Sequence, residues 1–349
     1  MYDPGWSLVV HIPVFAASAI LVAVVGTSLT RSAAALSRAT GLGQALTGAL
    51  FLGASTSLSG IVTSVTAAAS AHAELAASNA VGGIAAQTVF LAVADRVYRK
   101  ANLEHAAASD ENMLQGALLM ALLSVTLLAA LSPAVSVFGV HPVTVVILVS
   151  YVFGQRLVAT AQGQAMWKPR ITEHTHIEDE SGHGNEPQQP ATGGRPSLWA
   201  RFAVAALLIG VFGYLLARSG VVIADRTGLS ETVLGGLFTA VATSFPELVT
   251  AVAAVRLGAL TLAVSDIMGG NAFDVIFLAV ADVAYRDGSL YHAMGSRPSF
   301  LILLTLLLTS ILLMGLIRRE KHGIANIGFE SFLLFLVYAG GFLLIVTVV

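Results

Sequence analysis

Two acidic side chains lie inside stretches that are otherwise apolar. Glu247 sits in Ala242-Thr-Ser-Phe-Pro-Glu-Leu-Val-Thr250, and Asp266 in Ala263-Val-Ser-Asp-Ile-Met-Gly-Gly-Asn-Ala-Phe-Asp274. A carboxylate removed from water is costly and calls for a counter-charge. Hard cations take oxygen ligands from carboxylates, hydroxyls, amides and backbone carbonyls, and these two segments offer all four kinds. Thr243 and Glu247 stand one helical turn apart and share a face, with Ser244 beside them. Pro246 has no backbone N–H and crowds the preceding turn. Carbonyls around residues 240–243 are therefore expected to be freed toward an enclosed cavity. Asn271 is a further candidate oxygen ligand, and the role of Asp274 stays open. The plainer readings are a Thr-Ser pair bonded to its own backbone, a structural Glu247 paired with a distant Arg, and an interfacial Asp266. Their occurrence together in matching frames favours cation ligation.

The elements that must position these groups are membrane helices. The chain has 349 residues, of which 56% are hydrophobic and 11% charged, with a mean hydropathy of +0.81; a soluble domain carries about a quarter charged residues. Apolar stretches of about 20 residues, enough to cross a hydrocarbon core, recur roughly at 8–30, 41–67, 75–97, 113–131, 139–160, 200–222, 229–255, 260–284, 299–317 and 329–349. Their Ala, Leu, Val and Gly content lacks strand-like alternation, so the fold class is an all-α integral membrane bundle and not a β-barrel. There is no Cys, hence no disulfide framework and no thiolate metal site. Met1 to Pro13 lacks Lys and Arg and does not read as a cleaved signal peptide.

With ten spans, alternate loops fall on two sides. One side receives Arg31, Arg38, Arg96, Arg99, Lys100, Arg156, Lys168, Arg170, Arg195, Arg201, Arg256, Arg318, Arg319 and Lys321; the other receives Arg218, Arg226, Arg286 and Arg297. The positive-inside rule puts the rich side in the cytoplasm and both termini outside, and a multi-pass protein of the plasma membrane is expected.

The chain matches itself at an offset of 187 residues. Phe90-Leu-Ala-Val-Ala-Asp95 recurs as Phe277-Leu-Ala-Val-Ala-Asp282. Thr56-Ser57 meets Thr243-Ser244, Gly82-Gly83 meets Gly269-Gly270, His105 meets His292 and Tyr151 meets Tyr338. Each copy holds five spans, an odd number, so the second enters the membrane from the opposite side. Such inverted repeats are typical of secondary transporters, with the site near the midplane where the copies meet. The expected organisation is a first repeat over 1–160, a cytoplasmic flexible linker over 161–198 and a second repeat over 199–349. The linker is polar and Pro/Gly-rich; its His174, His176 and His183, with Glu173, Glu178, Asp179 and Glu180, read as a solvated stretch before a metal-sensing patch. In the first repeat the candidate positions become Thr56, Ser57, Gly60, Asn79 and Gln87, the last opposite Asp274. The hydroxyls persist, an amide replaces the aspartate, Gly60 replaces the glutamate and Ser59 the proline. Asp95 and Asp282, beside Arg residues near span ends, read as interfacial charges.

These segments resemble the α-repeats of the calcium/cation antiporter superfamily, most nearly its prokaryotic sodium/calcium exchangers. There the pattern is roughly G-T-S-x-P-E followed by G-(N/D)-x-x-G-S-N. The second repeat matches over 240–274; the first, over 53–83, is degenerate. The resemblance implies that Glu247 and Asp266 are the central acidic ligands. It adds oxygens from Thr243, Ser244, Thr56, Ser57 and Asn79, and places the carbonyls of Ala240 and Gly53 at sodium sites. Gly60 stands where the family carries a second motif glutamate, and Leu75 and Leu262 replace a serine one turn before the Asn/Asp position. The implied function is sodium/calcium antiport by alternating access, with altered stoichiometry. Na⁺/H⁺ or Ca²⁺/H⁺ antiport, and a degenerate ion-binding protein that does not transport, remain the alternatives. An enzyme is not expected, because no membrane-embedded Ser/His or paired-Asp arrangement is present. Expected partners are the lipid bilayer and small inorganic cations, with Ca²⁺, Na⁺ or H⁺ as cargo; no cofactor, nucleic acid or protein partner is indicated.

Overall fold

The computed structural model describes residues 8–41, 43–98, 101–107, 109–161, 170, 172–173, 175, 195–225, 231–320 and 328–347. Arg99, Lys100, Lys168, Arg226 and Lys321, together with His174, His176, Glu178, Asp179, Glu180 and His183 of the linker, lie outside the described residues.

The first half runs α1 (Leu8–Thr40), a broken span, α5 (Ala73–Val97), the short α6 (Leu103–Ala106), α7 (Asp110–Leu131) and α8 (Pro142–Ala161). The broken span consists of α2 (Gly43–Leu46), a π-helical turn (Thr47–Gly53), α3 (Ala54–Thr56) and α4 (Leu58–Ala69). The second half repeats this order. It runs α9 (Arg195–Asp225), a broken span, α13 (Leu260–Ala284), the short α14 (Leu290–Ala293), α15 (Ser296–Arg318) and α16 (Phe329–Thr347). Its broken span consists of α10 (Glu231–Val233), a π-helical turn (Leu234–Thr239), α11 (Ala240–Thr243) and α12 (Phe245–Arg256). Among the described residues eight helices are long and apolar enough to cross a membrane, and the two bent pairs, each taken as one span, bring the number to ten. The chain is an all-α membrane protein of ten spans in two inverted five-helix repeats.

Helix α1 continues ten residues past the expected end. Its Ser-Ala-Ala-Ala-Leu stretch suits a helix, and the hydroxyls of Thr30, Ser32 and Thr40 bond back to carbonyls four residues earlier. It stops at Gly41, whose φ of 72° fits the left-handed position that ends many helices.

Helices α5 and α13 form the centre. Of their most apolar stretch, 89% and 72% of residues are buried inside the protein, against 11% for α1. Helices α1 and α9 lie against one another at the periphery, and both touch α12. The centre is close-packed because each core helix meets the opposite π turn through residues without bulk. A Cβ on Gly82 of α5 would lie 2.6 Å from the Cα of Gly236, and one on Gly269 of α13 would lie 2.6 Å from the Cα of Ala49. Such approach is the packing mode of membrane helices, where small residues let backbones meet.

The two broken spans bend by 50° and 48°. On the sequence alone, Pro246 is the expected cause of the break. The first repeat bends as much with Ser59 in that place, so the cause common to both is the π turn followed by the Thr-Ser step. The same bonds close that step twice. The Gly53 carbonyl accepts from Thr56 Oγ1 (2.9 Å) and Ser57 N (3.0 Å), and the Ala240 carbonyl from Thr243 Oγ1 (3.1 Å) and Ser244 N (2.9 Å).

Asp95 and Asp282 are not interfacial charges. Both are fully buried and tie helix starts together. Asp95 Oδ1 accepts from Leu103 N (2.7 Å) and Oδ2 from Gly328 N (3.3 Å) and Ser331 Oγ (3.0 Å). Asp282 Oδ1 accepts from Leu290 N (2.9 Å) and Oδ2 from His141 N (2.8 Å) and Thr144 Oγ1 (2.6 Å). Each carboxylate satisfies donors that helix N-termini leave open.

Replacing Gly82 by Val is expected to destabilise the protein by about 1–3 kcal/mol through overpacking. Gly340→Ala, where an added Cβ would meet nothing within 4 Å, should be close to neutral. Thermal unfolding in detergent compares the two.

Candidate cation-binding site

The break in the second span leaves Glu247 in the first turn of α12, fully buried. Its Oε1 accepts from Ser57 Oγ of the first repeat (3.0 Å), and its Oε2 has no hydrogen-bond partner. Beside it lies a small cavity at the meeting of the two halves, with room for about one water-sized body. The first repeat lines it with Ser57, Gly60, Asn79, Gly83 and Gln87, and the second with Thr243, Ser244, Glu247, Asp274 and Phe277.

The side chains on this wall hold one another. Gln87 Nε2 donates to Asp274 Oδ2 (2.7 Å) and to Ser244 Oγ (3.1 Å). Asn79 Nδ2 donates to Ser64 Oγ (2.9 Å) and the Gly60 carbonyl (3.3 Å). These bonds turn the other oxygens outward from the pairs. Glu247 Oε2, Asp274 Oδ1, Asn79 Oδ1 and Gln87 Oε1 are buried and without a donor. No Lys or Arg among the described residues pairs with Glu247 or Asp274, so the distant-arginine reading of Glu247 finds no support. Two enclosed carboxylates without a basic partner need a cation or protons to offset their charge.

Of the candidate ligands, the fold brings Glu247, Thr243, Ser244, Ser57 and Asn79 to the cavity. Asp266, Thr56, Gly53, Ala240 and Asn271 lie outside its wall. Asp266 is fully buried and accepts from Thr250 Oγ1 (2.6 Å), while its Oδ1 stays without a donor. Asn271 donates to Thr88 Oγ1 (3.1 Å) and keeps its Oδ1 unpartnered. The carbonyls of Gly53 and Ala240 are already engaged, and the Thr243 carbonyl accepts from Ser59 Oγ (3.0 Å). The expected freeing of carbonyls is thus met locally by hydroxyls and the next backbone N–H. The Ala242 carbonyl is the one that Pro246 deprives of its helical donor.

Gln87 and Asp274 are wall residues that stand outside the expected ligand set. The sequence does carry a signal for them: they occupy the same position in the two repeats, and equivalent residues that touch must lie on the repeat axis. Among the described residues no three His, Cys, Asp or Glu side chains are grouped to hold a metal ion. A cation here would depend on neutral oxygens beside two carboxylates, which suits Na⁺ or Ca²⁺.

Comparison with known proteins decides the family. The pattern of the family described as sodium/calcium exchanger protein matches residues 10–158 and 197–348.

The chain belongs to the sodium/calcium exchanger family.

This family member is 28% identical over 123 residues to the inner membrane protein YrbG of Escherichia coli (strain K12), a match covering 35% of the chain and 38% of the relative. It is 30% identical over 126 residues to the putative antiporter CaxA of Alkalimonas amylolytica, covering 35% and 39%. The matched stretch therefore spans well under half the length of these curated relatives. Among solved structures, the sodium-calcium exchanger NCX_Mj superposes with a TM-score of 0.65 at 16% identity, over 98% of this chain and 100% of that one. The H⁺/Ca²⁺ exchanger CAX superposes with a TM-score of 0.67 at 15% identity, over 95% and 82%. The shared fold is that of cation exchangers, and the family is one of antiporters.

Gly60 stands where the second repeat has Glu247, so the first-repeat side of the cavity lacks that carboxylate, and Phe277 takes the space. A Cβ on Gly60 would lie 2.8 Å from Phe277 Cε2. Gly60→Glu is expected to lower the unfolding temperature, and Phe277→Ala to offset part of that loss in the double variant. A double-mutant cycle should give a coupling of about 0.5–3 kcal/mol; additive effects would place the ring elsewhere.

Proposed function

We propose that this chain exchanges Ca²⁺ for Na⁺ across the plasma membrane by alternating access, with the central ion between Glu247 and Asp274. The observation that carries this reading is the set of buried acceptors without donors on the cavity wall: two carboxylate oxygens and two amide oxygens. Protons can neutralise the carboxylates. They give no reason for amide oxygens to be left facing an enclosed space, since an amide oxygen is a weak base and a good ligand of hard cations. Ser57, Thr243 and Ser244 add hydroxyl oxygens from both halves.

Two wall carboxylates offset one Ca²⁺ or two Na⁺, so the exchange is electroneutral. Asp266 stands off the wall and keeps one charge state in both loaded forms. Gly60 and Phe277 remove the place of a third wall carboxylate, which lowers the number of Na⁺ per cycle. Access alternates as α1 and α9, packed on each other at the periphery, slide past the broken spans. Gly26 against Val249 and Gly213 against Ser59 keep that contact shallow. Ca²⁺/H⁺ exchange is the second reading, favoured by the absence of a basic partner for the two carboxylates among the described residues. The basic-residue asymmetry supports a cytoplasmic linker and outward termini.

Calcium uptake into proteoliposomes should follow an outward Na⁺ gradient and be lost in Glu247→Gln, by about a hundredfold or more if the carboxylate contributes near 3 kcal/mol. Flux driven by a pH gradient alone would select the proton reading, and a strong dependence on membrane potential would overturn electroneutrality. Absence of flux from the purified wild type would mean that ion binding persists without transport. Orientation is separately measurable, because the chain has no Cys. Phe138→Cys, in the exposed loop between α7 and α8, should react with an impermeant maleimide from outside intact cells. Gln188→Cys in the linker should react only after permeabilisation.

A further inference from the structure

A second group of buried acids lies far along α5 from the cavity, on the face that carries the linker. Asp95 at the end of α5, Glu104 in α6 and Glu330 at the start of α16 are each 0% exposed. Glu330 points inward: a Cβ on Gly315 of α15 would lie 2.6 Å from its Cγ, so the glycine makes room for it. Neither oxygen of Glu330 has a hydrogen-bond partner, nor has Oε2 of Glu104.

The geometry around Ser331 calls for a proton. Its Oγ lies 3.0 Å from Asp95 Oδ2 and 3.4 Å from Glu104 Oε1. A hydroxyl has one hydrogen to donate, and it can serve only one of the two acids. The other contact is attractive only if one of the two acids is protonated and donates to Ser331; Asp95 already accepts from two backbone N–H groups, so the proton falls to Glu104. Among the described residues no cation makes an ion pair with these acids, and the Arg318 charge acts on Glu330 only from a distance. Arg319 directs its guanidinium to the carbonyls of Arg170 and His105 and to Thr175 Oγ1. Arg318 reaches outward to Glu320 and Phe329. His105 faces Arg319 and Thr172. Among the described residues no three such groups are arranged for a metal ion.

The other repeat serves as an internal control. Asp282 makes the same two helix caps as Asp95, but Tyr291 stands for Glu104, Thr144 for Ser331 and Val143 for Glu330. The hydroxyls of Tyr291 and Thr144 satisfy each other at 3.0 Å. The fold therefore does not require acids at positions 104 and 330.

We propose that Asp95, Glu104 and Glu330 form a proton-binding site, separate from the transport cavity and present on the linker face alone. When occupied, it holds α6 and α16 against the end of α5. That face is cytoplasmic in the proposed orientation. The site acts on the helix that carries Asn79 and Gln87, so proton loss loosens a core helix from one side only.

Burial, reinforced by the charges of Asp95 and Glu330, holds the Glu104 carboxyl well above the ordinary carboxylate range. The folded chain then keeps a proton that the unfolded chain releases. Its stabilising effect is full at low pH and is lost as pH rises from the ordinary carboxylate value through the folded one. The test is the unfolding temperature of the full chain in detergent, independent of any transport. At about pH 8, Glu104→Gln and Glu330→Gln should unfold about 3 °C or more above wild type, the gap closing toward about pH 5. Glu104→Tyr, which copies the other repeat, should behave alike and covers the case in which Gln fails to fold. Parallel curves for wild type and variants would overturn the site. So would a saturable rise with CaCl₂ lost only in the Glu104 variants, which would assign a metal cation. Failure of Glu104→Tyr to fold at any pH would also overturn it, by making the carboxyl a requirement of the fold.

Discussion

A carboxylate enclosed among apolar helices cannot stand without a counter-charge, and most of the architecture around Glu247 follows from that. At a helix centre in a membrane an acidic side chain costs about 2.5–3.5 kcal/mol even after relaxation. Among the described residues the chain puts no basic residue at the cavity; it sets neutral oxygen atoms beside the carboxylates, a set that suits a cation as the counter-charge. Those oxygens must come from several spans, so backbones must approach closely. The π turns, the Thr-Ser steps that follow them and the glycines of α5 and α13 are the means. Without Gly82 against Gly236 and Gly269 against Ala49, the core helices would stand off by a side chain, and Gln87 would not reach Asp274.

Much of this is legible in the sequence because the signals are chemical or periodic. Glu247, the paired hydroxyls and the repeat offset need no tertiary knowledge. Asp266 shows where that legibility ends. Asp266, Gly270 and Asp274 follow one another at intervals of four residues on α13, so they share one stripe, and the stripe can be read. Depth along the stripe cannot. Asp266 and Asp274 are about 12 Å apart along the helix axis. Which of them meets the cavity depends on where the break in the opposite span places Glu247. That level is set by the π turn and Ser244, features that apolar periodicity does not encode. The proline misleads for a similar reason: it is visible in one repeat, whereas the bend is present in both.

Asp95 and Asp282 illustrate a different limit. An acid next to an arginine near a span end looks like an interfacial charge. Their true partners are backbone donors at the starts of two other helices, one of them far along the chain. Backbone N–H groups carry no residue identity, so no local pattern announces such a bond. The offset of 187 does point to it, since the partners Gly328 and Ser331 repeat His141 and Thr144 at the same interval.

The two halves keep one backbone plan while their chemistry has parted, and each departure falls where it changes charge. Gly60 against Phe277 takes a carboxylate away from the cavity on the first-repeat side. Glu104 and Glu330, against Tyr291 and Val143, add two acids at one face and none at the other. Gln87 and Asp274 divide an amide and an acid across the axis, which lets them bond to one another where two acids would repel. An inverted repeat with identical halves would present the same groups to both sides of a membrane. Directional behaviour in such a fold has to come from the positions that broke the symmetry, and in this chain those positions are acids gained, lost or exchanged for neutral groups.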